Sequence, residues 1–117
     1  MNQSPEVISL TPVVATANLH EAIRVWSELL GAQPTFVDGT RWAQFDLGHG
    51  RLALAGNDRV TQAPAVMLKV ADVEQARARA IALSLPAAPL QHGPHEVRCL
   101  VQNINGWDLI FYAPTTR

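Results

Sequence analysis

An internal repeat is the sequence feature that most constrains the fold. Residues 16–19 (TANL) match residues 70–73 (VADV), which lie 54 residues further along the chain. In each copy a β-branched apolar segment comes first, and Asn18 or Asp72 then offers a side chain that can cap a helix. The two hairpin turns that follow lie about as far apart. The sequence therefore predicts two tandem copies of one structural unit.

Each copy is predicted to be a βαβββ module. The first has strands at Glu6–Thr16, Pro34–Val37, Arg41–Leu47 and Arg51–Ala55, with a helix from Asn18 to Gly31. The second has strands at Ala65–Val70, near Leu90, at Glu96–Gln102 and at Trp107–Tyr112, with a helix that Asp72 caps. We expect modules at about 6–56 and 64–113 that form one α+β domain over residues 1–117.

Composition excludes several classes of function. Nine Lys and Arg balance ten Asp and Glu to give a net charge of -1, so neither nucleic acid nor an anionic membrane is an expected partner. One cysteine excludes an intrachain disulfide framework and fits a reducing cytoplasm. No apolar run approaches the roughly 20 residues of a membrane span.

Hairpin pairing predicts which side chains share a face. Pairing Leu47 with Arg51 places Trp42 on a mixed polar and apolar face with Gln44, Asp46, Leu52 and Leu54. Pairing Asn103 with Trp107 groups Val97, Cys99, Val101, Leu109 and Phe111 on one face. Their opposite face then carries Arg98, Leu100, Gln102, Asp108, Ile110 and Tyr112. A mixed face of this kind can curl round a ligand cavity, or it can face water.

Two segments carry a resemblance to a known family. The helix at residues 18–31 (NLHEAIRVWSELLG) is similar to the "D-L-x-x-A-x-x-F-Y…L-G" signature of the vicinal oxygen chelate superfamily, which includes glyoxalase I, extradiol dioxygenases and bleomycin-resistance proteins. Residues 103–111 (NINGWDLIF) resemble its "D-P-D-G-N-x-I-E-F" motif. The resemblance implies a curved mixed sheet around a cavity, helices on the convex face, and a homodimer.

The resemblance also assigns four metal-ligand positions. They fall on Thr11, Leu54, Ala65 and Ile110, and three of these residues have no donor atom. A catalytic metal generally needs about three protein ligands. The resemblance therefore implies the metal-free branch typified by bleomycin-resistance proteins, with an organic small molecule as partner, no cofactor and no metal.

Trp42, Arg98 and Tyr112 are the candidate centre of the ligand site. An aromatic ring and a fixed cation suit a planar or anionic molecule through stacking and charge-assisted hydrogen bonds. Further candidate ligand-binding residues are Ser9, Thr11, Gln44, Asp46, Gln102 and Asp108. Arg98 could instead pair with Asp108 or Tyr112 on an exposed sheet.

Two other functions stay open at this point. A lyase, isomerase or dioxygenase could use a displaced metal at His92 and His95, or acid/base chemistry at Asp46 and Asp108. A structural or partner-binding module could fill its cavity with its own side chains. The sequence leaves open whether any reaction is catalysed.

Overall fold

The computed structural model describes residues 7–115, so the expected strand start at Glu6 lies outside the described residues. The elements follow the predicted order βαβββ twice, which confirms the α+β class. They are β1 (Val7–Ala15), α1 (Leu19–Leu30), β2 (Phe36–Asp38), β3 (Trp42–Asp46), β4 (Arg51–Ala55), β5 (Ala65–Val70), α2 (Val73–Ala82), β6 (Gln91–His92), β7 (Glu96–Ile104) and β8 (Trp107–Pro114). No helix of residues 7–115 has the length and apolar character that a membrane crossing requires.

Both helices begin where the sequence predicts. The Asn18 side chain accepts a hydrogen bond from the backbone N–H of Glu21 at 3.1 Å. The Asp72 side chain does the same for the N–H of Gln75, also at 3.1 Å. Each bond satisfies a backbone donor that has no partner inside the helix, so it fixes where the helix starts.

The chain forms two compact units. The first unit is Thr11–Ala65, and the second comprises the chain up to Leu10 together with Val66 onward. In the first unit the strand order is β2-β3-β4-β1, with β1 parallel to β4 and the other pairs antiparallel. In the second unit the order is β1-β5-β8-β7-β6. Strand β1 therefore contributes to both units.

The predicted register of the first hairpin is wrong by one residue. Asp46, rather than Leu47, is the partner of Arg51. The connection is a four-residue turn, closed by the N–H of Leu47 donating to the carbonyl of Gly50 at 2.8 Å. A one-residue slip exchanges the two faces of a strand. Leu52 and Leu54 therefore pack under α1, and the alanines at positions 53 and 55 share the face of Trp42.

The predicted register of the second hairpin is confirmed over most of its length. Arg98 pairs with Tyr112, and Cys99 pairs with Phe111. The face predicted to be apolar packs against α2, as expected: Val97, Cys99, Val101, Leu109 and Phe111. The register shifts between Val101 and Ile104, where Ile104 instead of Asn103 becomes the partner of Trp107.

A buried carboxylate holds the tip of this second hairpin. Asn103 and Asn105 both have positive φ angles, 63° and 54°. Asp108 is only 4% exposed, and its Oδ1 accepts the backbone N–H of Asn103 at 2.9 Å. Asp108 therefore stabilises the irregular segment of β7 by pairing an N–H that a regular ladder would otherwise bond.

We predict that Asp108→Ala destabilises the protein by about 1–3 kcal/mol, because it leaves the Asn103 N–H without its acceptor. Asp108→Asn keeps an oxygen acceptor and should cost less. Urea denaturation measures both. The control is Asp38→Ala, which removes only an exposed ion pair with Arg41 and should cost under about 1 kcal/mol. Equal losses for Asp108→Ala and Asp38→Ala would contradict the assigned role.

Two glycines provide a second stability prediction. A Cβ at Gly56 would clash with the carbonyl oxygen of Thr40, whereas a Cβ at Gly50 would meet nothing within 4 Å. Gly56→Ala should therefore cost about 1–3 kcal/mol, because backbone must shift to accept the methyl group. Gly50→Ala, the matched control, should be close to neutral. Thermal unfolding of the two variants tests this, and similar melting temperatures would contradict it.

Candidate functional site

The sheet of the second unit has one face covered by α2 and one face that α2 does not cover. Val7, Val70 and Val97 pack with the α2 cluster. Side chains alternate along a strand, so their neighbours Ile8, Lys69 and Arg98 occupy the other face. We call this other face the open face. Its residues are Ile8, Leu10, Met67, Lys69, Arg98, Leu100, Ile110 and Tyr112.

Arg98 is the best-positioned cation of the open face. Its side chain is 21% exposed, and its Nε lies 3.4 Å from Oε2 of Glu96. Tyr112 is its cross-strand neighbour on β8, and Gln91 is its neighbour on β6. Packing between two strands limits the rotamers of the guanidinium, which therefore presents its donors in a defined direction.

Lys69 is a further candidate ligand-binding residue, which the sequence patterns above did not identify. It is half-buried in β5, and it makes no hydrogen bond or ion pair with any residue between 7 and 115. The signal was present in the sequence, because Lys69 precedes the buried Val70 and must alternate to the opposite face. The open face thus carries two cations and a phenol.

Apolar side chains accompany these polar groups. Ile8 and Leu10 of β1 are 60% and 58% exposed. Large aliphatic side chains left exposed on a strand form a surface that favours an apolar partner. The open face therefore combines fixed donors with accessible apolar area.

In the first unit Trp42, Gln44 and Asp46 share one face, as predicted. The exposed Asp46 carboxylate lies 3.4 Å from Nε of Arg51, and Nε2 of Gln44 donates to it at 3.4 Å. Its backbone N–H donates to Oγ1 of Thr35 at 2.7 Å. Asp46 and Asp108 therefore each have partners within their own units.

The remaining predicted residues lie in varied environments. Thr11 is 2% exposed, and Gln102 is exposed in the irregular segment of β7. The Oγ of Ser9 is buried and has no hydrogen-bond partner among the described residues. Ser9 alternates to the side of Val7, which faces the α2 cluster. Thus Ser9 Oγ and the Asp108 side chain are shielded from solvent, whereas the Arg98 side chain is partly accessible.

The metal-ligand positions do not fit a metal. Leu54, Ala65 and Ile110 are buried apolar residues, at most 3% exposed. Leu54 packs under α1, and its neighbours in β4, Ala53 and Ala55, offer no donor side chain either. Across residues 7–115 there is no cluster of three His, Cys, Asp or Glu side chains that could hold an ion, at His92 and His95 or elsewhere.

Cys99 is a buried thiol, as its alternation with Arg98 predicts. It is fully buried, and its Sγ donates to the carbonyl of Ala88 at 3.4 Å. Burial raises the pKa of Cys99, and the nearby positive charge of Arg77 opposes this only in part. The thiol is therefore protonated at neutral pH and a poor nucleophile.

A groove lies on the α2 side of the second unit. It is open to solvent, has a volume of about 480 Å³, and lies between the start of α2 and the ends of β6, β7 and β8. Its lining residues are Ala71, Asp72, Val73, Glu74, Leu90, His92, Val97, Ala113, Pro114 and Thr115. None of the predicted ligand-binding residues lines it.

Comparisons with known proteins extend these observations. No family model matches the chain. It is 34% identical over 111 residues to an uncharacterised protein of Mycolicibacterium smegmatis, covering 90% of this chain and 92% of that protein. A high structural similarity, with a TM-score of 0.79 at 13% identity, is to a structure described as an NAD-dependent benzaldehyde dehydrogenase from Legionella pneumophila, covering 91% of this chain and 99% of the other.

Two further structures carry names from the superfamily that the sequence resembles. A glyoxalase/bleomycin resistance protein/dioxygenase superfamily member from Vibrio splendidus has a TM-score of 0.67 at 15% identity, covering 89% of this chain and 97% of the other. Methylmalonyl-CoA epimerase from Mycobacterium tuberculosis has a TM-score of 0.65 at 14% identity, covering 98% of this chain and 93% of the other. At such identities the likeness concerns the fold. The chain therefore belongs to the same family as the M. smegmatis protein, and its fold is that of the vicinal oxygen chelate superfamily.

Proposed function

We propose that this protein binds an organic small molecule without the help of a metal ion. The observation that carries the proposal is the half-buried guanidinium of Arg98, beside Tyr112 on the open face. The proposed site is centred on Arg98 and Tyr112, and the open face on which it lies also carries Lys69, Ile8 and Leu10.

The chemistry of these residues favours a ligand with an anionic group and an apolar or planar body. A guanidinium can hold a carboxylate through two parallel hydrogen bonds, and a phenol adds a third donor. Contact with apolar side chains of the open face removes exposed apolar surface from water, which stabilises the complex in proportion to the area covered. The aromatic ring of Tyr112 offers a stacking surface.

The residues at the expected metal-ligand position of β4 support the proposal that no metal ion takes part in binding. In the observed register of β4, Ala53 and Ala55 lie on the face of Trp42 in place of Leu54. None of these three side chains has an atom that could bind a metal. Either way the last strand of the first module supplies no ligand. Binding therefore depends on the side chains of the open face.

We extend to this chain, as a proposal, the sequestration of a drug or metabolite that the resemblance to bleomycin-resistance proteins implies. A homodimer in the cytoplasm belongs to the same proposal and rests on the resemblance and the single cysteine. Native mass spectrometry of protein purified without chelators reports subunit number, bound metal and any co-purified ligand together. A transition metal bound at close to one ion per subunit would contradict the proposal that no metal takes part in binding.

We predict that small aromatic carboxylates raise the melting temperature in a saturable way. Naphthoate and its neutral amide analogue are suitable probes. Arg98→Gln should weaken naphthoate binding about tenfold or more, because a hydrogen bond to a charged group is lost. Lys69→Gln should weaken it less, since a lysine acts as a single point charge.

The matched control is Arg51→Gln, which removes an arginine of the first unit paired with Asp46 and should leave naphthoate affinity unchanged. Trp42→Ala tests separately whether the first unit contributes an aromatic contact. Equal binding of the acid and the amide, or equal loss in Arg98→Gln and Arg51→Gln, would contradict the proposed site.

A further inference from the structure

The groove beside α2 lies on the opposite side of the sheet from the proposed anion site. Its wall residues Val97 and Ala113 belong to the cluster packed against α2. Their neighbours Arg98 and Tyr112 alternate to the open face. A ligand in the groove therefore meets a different set of side chains from a ligand on the open face.

The size and lining of the groove are those of a small-molecule site. Its volume of about 480 Å³ falls within the range of roughly 300–1,000 Å³ that is common for ligand pockets. Val73, Leu90, Val97 and Ala113 provide apolar walls. A few polar side chains, His92 among them, also line the groove, which matches the usual pattern of an apolar pocket with a small number of orienting contacts.

The charge of the groove is negative. Asp72 and Glu74 line it, whereas no Lys or Arg does so among the described residues. One oxygen of Asp72 accepts the Gln75 N–H at the helix start. Glu74 is exposed and makes no hydrogen bond or ion pair with any residue of the described chain. The Asp72 cap occupies a donor that an anion would otherwise use, and both carboxylates repel anions.

We propose that this groove binds a small organic cation, namely a protonated amine that carries an apolar or aromatic group. The apolar group packs between Val73, Leu90 and Val97, and the ammonium lies at the carboxylate of Glu74. This site is independent of the proposed anion site, because the two differ in face, charge and residues.

The proposal is tested with three probes that share a phenethyl body: phenethylammonium, phenethyl alcohol and phenylacetate. Amide-resolved NMR titrations of the full chain should show saturable shifts at Val73, Glu74, His92 and Ala113 for the ammonium. The alcohol should bind more weakly, and the carboxylate weakest of all. Equal affinities for the three probes, or shifts confined to residues outside the groove, would overturn the proposal.

Paired variants separate the groove from the rest of the surface. Glu74→Gln should weaken phenethylammonium binding about two- to five-fold, as expected for an exposed charge pair. Glu28→Gln, which removes an exposed carboxylate from α1, should have no effect. An unchanged affinity in Glu74→Gln would overturn the assignment of the ammonium position.

A second pair of variants tests occupancy by blocking the groove. Ala71 is exposed and lines the groove just before the α2 cap, so Ala71→Trp should reduce binding at least tenfold. Ala17→Trp adds the same side chain at the equivalent position before α1 and should bind the probe normally. Normal binding by Ala71→Trp would show that the probe does not occupy the groove.

Discussion

Burial of one strand face under each helix is the constraint on which the rest of the structure depends. In the first unit Leu52 and Leu54 pack beneath α1, and in the second unit Cys99 and Val101 pack beneath α2. Because side chains alternate, each buried residue fixes its neighbour on the opposite face. The position of Arg98 on the open face is thus a consequence of where Cys99 is buried.

The same constraint accounts for three of the positions to which the resemblance assigns metal ligands. Residues at the ligand positions now contribute to packing, as with Leu54, Ala65 and Ile110, each at most 3% exposed. Buried apolar residues stabilise the sheet through the hydrophobic effect and close contacts. The proposed binding on the open face therefore rests on Arg98, Lys69 and Tyr112 and not on metal coordination.

Residue patterns determined the local parts of the fold. Helix starts could be predicted because a cap depends on two residues three positions apart, as in Asn18 with Glu21. The Arg98 and Tyr112 pair could be predicted because the long second hairpin keeps one register along most of its strands. The register of the first hairpin could not be predicted, because the two glycines around His49 permit turns of different length. Packing of Leu54 under α1 selects among these turns.

The sequence by itself determined the repeat, the two capped helices and the α+β class, because each depends on residue type or on the spacing of residues along the chain. Only the tertiary structure decided that Asp108 accepts the backbone N–H of Asn103 at the hairpin tip. The tertiary structure alone also brought Glu74 and His92 to one groove. These outcomes depend on contacts between residues far apart in the chain, whose geometry is set by packing that no short sequence pattern encodes.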